Sequence, residues 1–134
     1  MRRPTGADYV DELWELRKYS LYRCSKFPVR YKKWFTDDIV MFFARAHQYA
    51  YEANNINPKT AEEAAERRSY IKKAQRALDQ VWPQLELAYD MCGWDKDMSN
   101  QKILISEWLP KIDRCEALLK AIEASDTKRY KHLT

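Results

Sequence analysis

Glycine is nearly missing from this sequence: Gly6 and Gly93 are the two in 134 residues. Phosphate-cradling loops, dinucleotide-binding turns and Gly-punctuated β-sandwiches need glycine where φ is positive or a ligand approaches the backbone, so none of them fits. Cysteine is scarce as well, with Cys24, Cys92 and Cys115 forming an odd set that lacks a Cys-x-x-Cys pair. Each lies in an apolar helical setting, which favours buried free thiols in a reducing compartment over a disulfide framework. Long apolar runs are also lacking. The longest, Ile39 to Ala44, ends at Arg45 after six residues, against the ~20 that cross a bilayer. Met1-Arg2-Arg3 is basic, but Pro4, Thr5, Gly6 and Asp8 follow where a signal peptide needs an apolar stretch. The expectation is a cytoplasmic protein with no membrane span.

What is present is 46% apolar, 13% aromatic and 33% charged residues, a composition that supports one core in a single domain over 1–134. The periodicity is helical throughout. Thr5-Gly6-Ala7-Asp8 has capping-box-like spacing, and Val10, Leu13, Trp14, Leu21 and Cys24 predict a first helix over about 7–25, closed by Lys26-Phe27-Pro28. Phe35, Ile39, Phe42, Phe43, Ala46, Ala50 and Ala53 predict a second over about 30–53. After the loop Asn54-Asn55-Ile56-Asn57-Pro58, Thr60 and Glu63 form a capping box for a third helix over about 61–92. Its seam of Ile71, Ala74, Leu78, Val81, Leu85, Ala88 and Cys92 alternates steps of three and four; Pro83 predicts a kink and Gly93 a C-terminal cap. Ser99 is the expected cap of a fourth helix over about 99–124, with Ile105, Trp108, Ile112, Cys115, Leu119 and Ile122 inward and a kink at Pro110. Residues 126–134 read as a frayed polar tail. The predicted fold is all-α: an up-down-up-down antiparallel four-helix bundle.

The side-chain sets that enzymes need are missing. A di-metal bundle requires inward Glu-x-x-His pairs, and His47 and His132 supply none. Zinc spacing is absent too. Asp37 and Asp38 are adjacent and point about 100° apart on a helix, too divergent to share one substrate proton. A non-enzymatic protein with no cofactor and no metal is expected.

The informative feature is where positive charge gathers, because the sum of 24 basic against 20 acidic residues is only mildly positive. Arg17, Lys18, Arg23, Lys26, Arg30, Lys32 and Lys33 fall in a stretch with no acid, interleaved with Tyr19, Tyr22, Tyr31 and Trp34. Cations of this kind neutralise phosphates, and aromatic rings stack on unpaired bases. The pattern fits equally a solvated helix end whose rings are core or subunit contacts. A second set, Arg67, Arg68, Lys72, Lys73 and Arg76, puts 68, 72 and 76 one turn apart in a stripe that faces either an anion or plain solvent. In a bundle the two sets lie toward opposite ends.

Lys26-Phe27-Pro28 with Arg30, then Ala53-Asn54, then Arg67-x-x-Tyr70-Ile71-x-x-Ala74-x-x-x-Leu78 and Leu85-x-Leu87-Ala88-x-Asp90, resembles one family. It is the four-helix Avd accessory proteins of diversity-generating retroelements, with their relatives encoded in intervening sequences of bacterial large-subunit ribosomal RNA. The likeness covers roughly residues 10–92; the Gly-rich stretch usual near the family's end is replaced here by Trp108-Leu109-Pro110. The resemblance implies a non-catalytic, ring-shaped homo-oligomer, typically a pentamer, that binds a reverse transcriptase and template RNA or cDNA during mutagenic retrohoming. It places basic determinants at Lys26, Arg30, Arg67 and Lys73. The intervening-sequence relatives suggest an alternative, a structural or protein-interaction bundle that binds no nucleic acid.

Overall fold

The scarcity of glycine shows in the backbone: Gly6, with φ of 75°, is the one position among the described residues in the left-handed region. The computed structural model describes residues 5–133 and is all-helical, with no strand among them. The basic Met1-Arg2-Arg3 start lies outside the described residues. From Gly6 the chain enters α1 (Asp8–Cys24), whose N-cap is Ala7 rather than Thr5. The Thr5 hydroxyl accepts from the Ala7 amide (3.2 Å) and donates to Asp11 (2.9 Å), so it braces the entry turn without capping the helix. Tyr9, Val10, Leu13, Leu16, Ser20 and Cys24 form the buried face. Leu21, expected inward, is 50% exposed because the seam passes through Ser20 instead. The Ser20 hydroxyl accepts from Trp108 Nε1 (2.9 Å) and donates to the Leu16 carbonyl (2.7 Å), which satisfies a polar group at the centre of the core.

α1 stops before Pro28 as the sequence predicts. The next helical run is not uniform. A tight turn at Val29–Tyr31 passes into a wide π-helical turn at Lys32–Thr36 before α2 (Asp37–Asn54) begins. Phe27, Tyr31, Phe35 and Ile39 are all buried and recur every fourth residue. In a helix of 3.6 residues per turn that spacing drifts around the axis, and a wide turn absorbs the drift.

Thr60 caps α3 as predicted, its hydroxyl accepting from the Glu63 amide (3.1 Å), but the Glu63 carboxylate reaches one residue further back than a capping box requires and accepts from the Lys59 amide (3.1 Å). α3 (Ala61–Met91) continues through Pro83 and ends at Cys92 in ordinary right-handed geometry, so Gly93 provides no left-handed cap. Ala46, Ala50 and Ala53 of α2 and Ala74, Ala77 and Ala88 of α3 are buried, and these small side chains let the two helices pack most closely.

Asp95, not Ser99, caps the following tight turn at Lys96–Gln101 by accepting from the Asp97 amide (2.9 Å). The predicted fourth helix is two pieces, α4 (Lys102–Ser106) and α5 (Trp108–Arg129). Pro110 falls in the first turn of α5, where its missing N–H leaves nothing unpaired; its ring excludes the Ser106 carbonyl, so it breaks the helix upstream instead of kinking it. The expected tail from 126 is structured: α5 continues to Arg129, followed by a tight turn at Lys131–Leu133. α1 packs on α2 and α5, and α3 packs on α2 and α5, an arrangement consistent with a helical bundle. Trp108 sits wholly buried at its centre, edge-on to Tyr19 and Phe27 and stacked over Phe43. No helix among the described residues is long and apolar enough to cross a membrane.

Candidate nucleic-acid interface

The twelve basic residues singled out by charge pattern separate into three groups once their partners are visible. Arg67 is removed from the surface altogether. It is 4% exposed, and its guanidinium donates to both carboxylate oxygens of Asp126 (2.7 and 3.2 Å) and to the carbonyls of Ala53 (3.2 Å) and Ile56 (3.1 Å). Burial by itself pushes this group's pKa down, but the Asp126 hydrogen bonds and neighbouring charges outweigh it and hold it above the ordinary value. Arg67 ties α3 to α5 and to the loop after α2; it cannot also meet a phosphate. That corrects the expectation drawn for Arg67 from the basic cluster on α3 and from the resemblance.

A second group is occupied at the surface. Arg17 folds onto His47 (3.2 Å), Lys18 pairs with Glu15 (3.1 Å), and Lys72 pairs with Glu123 (2.8 Å). Half-buried Arg23 donates to Gln101 (3.3 Å). Arg30 bridges Asp95 and Asp97, the latter at 2.9 Å, and the Tyr31 hydroxyl donates to the same Asp95. Hydrogen bonds from Tyr31 and Arg30, and then the Asp97 amide, hold the Asp95 carboxyl down to about 2. This clamp fastens the tight turn after Pro28 to the turn after α3. Lys73 lies over the Tyr70 and Tyr49 rings (5.1 and 5.8 Å).

The third group is exposed without an acidic partner among the described residues: Lys32 and Lys33 in the wide turn, Arg68 and Arg76 on α3, and Lys26, which like Lys73 lies over a tyrosine ring (Tyr22, 5.2 Å) and has no acid to pair with. Lys26, Lys32 and Lys33 share one short stretch of chain with Trp34, which is 61% exposed, and Val29, at 85%. The turn's geometry produces this set. Tyr31 and Phe35 are buried anchors four residues apart, and the three residues between them, Lys32, Lys33 and Trp34, are each exposed, fanned around the turn at successive helical positions. Arg68 and Arg76 lie two turns apart on α3, with the Glu123-paired Lys72 between them. Between Arg76 and the end of α3 at Met91 lie 15 residues of helix, about 22 Å, and the Arg30–Asp95 bridge fastens the other basic region beside that end.

Burial pushes the Cys24 and Cys115 thiols up to about 12, and Cys92 is raised for the same reason; all three are buried and free. Such thiols stay protonated and unreactive at neutral pH. The described residues contain no group of three or more His, Cys, Asp or Glu side chains placed to hold a metal. Charge patterning found the basic regions but could not tell spent cations from free ones, because, apart from Glu15 beside Lys18, the acidic partners Glu123, Asp126, Asp95 and Asp97 lie 51 to 67 residues away in sequence. Comparison with known proteins yields no matching family model, no matching curated protein and no matching solved structure.

Proposed function

We propose that the chain is a non-catalytic accessory protein that binds nucleic acid through the surface formed by Lys26, Lys32, Lys33 and Trp34. The observation that carries the reading is the exposure of three lysines with no acidic partner within eight residues of an exposed aromatic ring. Phosphates supply the charge those lysines lack. Arg68 and Arg76 extend the basic surface toward the other end of α3, so a flexible polyanion can engage both regions.

In this reading the helices run up-down-up-down. Tyr9 near the start of α1 bonds Asn54 at the end of α2, Gln84 late in α3 bonds Asp38 early in α2, and Arg67 early in α3 bonds Asp126 late in α5. These pairings support antiparallel neighbours. The resemblance to the Avd accessory proteins extends the reading to a reverse transcriptase partner, template RNA or cDNA as the nucleic acid, and assembly of several copies into a ring. A second reading, a protein-interaction bundle, is favoured by Trp94 at 85% and Ile103 at 75% exposure, which no phosphate contact needs.

Binding of a labelled RNA measured across a salt series separates the two. Three lysine–phosphate contacts predict a log–log slope of about −2 on single strands, and the triple variant Lys26→Glu/Lys32→Glu/Lys33→Glu is expected to bind at least roughly tenfold more weakly at low salt with unchanged helicity. A slope near zero, or full binding by the triple variant, rejects the nucleic-acid reading in favour of the protein-interaction one.

A further inference from the structure

We infer that the Trp34 ring is a stacking platform for an unpaired base, so that this surface prefers single-stranded nucleic acid to duplex; the assignment rests on the nucleic-acid reading above. Four aromatic rings are interleaved with the basic run, and the structure gives them different occupations. Tyr31 is buried, stacked on Phe35 (5.1 Å between centroids, 22° between planes), with its hydroxyl on Asp95. Tyr19 is edge-on to Trp108, has Lys111 and Arg23 over its ring (4.7 and 6.0 Å), and donates its hydroxyl to the Leu104 carbonyl (3.1 Å). Tyr22 is 59% exposed, yet Arg23 and Lys26 sit within 5.6 and 5.2 Å of its centroid.

Trp34 differs from all three. Its one ring contact among the described residues is edge-type, against Tyr31 at 5.5 Å and 63°, and no cation lies over it. An edge contact to a buried neighbour steadies the ring and leaves a face open. Phe35, the next residue, is wholly buried, so the wide turn cannot rotate Trp34 inward without extracting a core side chain. Lys32 and Lys33, exposed at the two preceding positions of the chain, supply charge for the backbone of a strand whose base stacks there.

This geometry divides the contributions. Lysine–phosphate attraction is available to single strands and duplexes alike, whereas a base offers its face to a side chain only when it is unpaired and unstacked. Substituting the lysines therefore weakens both forms, and substituting Trp34 weakens one. Leucine at this position keeps apolar bulk and removes the π-face, which separates stacking from plain hydrophobic contact.

The experiment is fluorescence anisotropy with a labelled oligonucleotide of about 12 nucleotides, single-stranded or annealed to its complement, against the wild-type chain, Trp34→Leu and Trp34→Phe. Circular dichroism of each variant confirms the fold. The expected result is a loss of roughly tenfold on the single strand for Trp34→Leu, under about twofold on the duplex, and a smaller loss for Trp34→Phe. Equal losses on both forms, or none on either, overturn the platform while wild-type binding keeps the nucleic-acid reading. Wild-type protein that binds neither form overturns both. Binding to phosphatidylserine–phosphatidylcholine vesicles that Lys26→Glu/Lys32→Glu/Lys33→Glu abolishes, with no oligonucleotide bound, assigns the patch to a lipid surface and likewise overturns the platform.

Discussion

Replacing Asp126 with alanine tests whether Arg67 is a structural tie or a binding residue. The substitution removes both carboxylate oxygens that accept from Nε and Nη2 and leaves a guanidinium that is only 4% exposed. Breaking a buried ion pair from one side costs about 3–5 kcal/mol. The low end applies here, because the Ala53 and Ile56 carbonyls still accept from Nη1. A cost of about 3 kcal/mol set against an unfolding entropy of about 0.28 kcal/mol/K for 134 residues lowers Tm by about 10 °C. Arg67→Met should cost a similar amount, since it strands the Asp126 carboxylate and two carbonyls instead. Thermal melts followed by circular dichroism measure both. Below the lowered Tm, RNA affinity of Arg67→Met should equal that of the wild type. An Asp126→Ala melt within about 2 °C of wild type would refute the tie and restore residues 126–134 to the frayed tail that their polarity suggests.

Asp95 predicts a pH dependence. Its carboxyl is depressed in the folded chain to about 2 from an ordinary 3.8, so the stability it contributes is fully present above about pH 4 and is lost as pH falls toward about 2. Asp95→Asn should flatten that part of the acid unfolding curve, and an unaltered curve would mean the clamp to Arg30 and Tyr31 does not form in solution. The thiols predict a kinetic result: with Cys24 and Cys115 pushed up to about 12 by burial, a disulfide reagent at mild alkaline pH should label the folded chain only as fast as it opens, and all three at once in denaturant. Immediate labelling of the native protein would contradict the core assignment.

The helices were largely legible because apolar spacing is a local property. The seam from Ile71 to Cys92 and that from Ile105 to Leu119 are buried as their three-four alternation predicts, and Thr60 caps α3 by accepting from the Glu63 amide as its spacing requires. Errors fell where a local rule met a distant partner. Leu21 fits the α1 period, yet Ser20 takes the inward place because Trp108, 88 residues away in sequence, brings an indole N–H that needs an acceptor. Ser99 has cap chemistry, but Asp95 caps the turn and is itself held by Arg30 and Tyr31. Residues 126–129 look polar, and one of them is buried because α3 offers it an arginine.

The basic surface shows the same division. Sequence by itself determined that cations and aromatic rings gather between Arg17 and Lys33 and again between Arg67 and Arg76, since clustering along the chain survives any fold. Only the tertiary structure decided which of them remain available. Arg67 and Arg30 are consumed by carboxylates 59 and 65 residues away, whereas Lys32, Lys33 and Trp34 are turned outward between two buried anchors. An ion pair's strength depends on distance and burial, and neither quantity exists until the chain has folded.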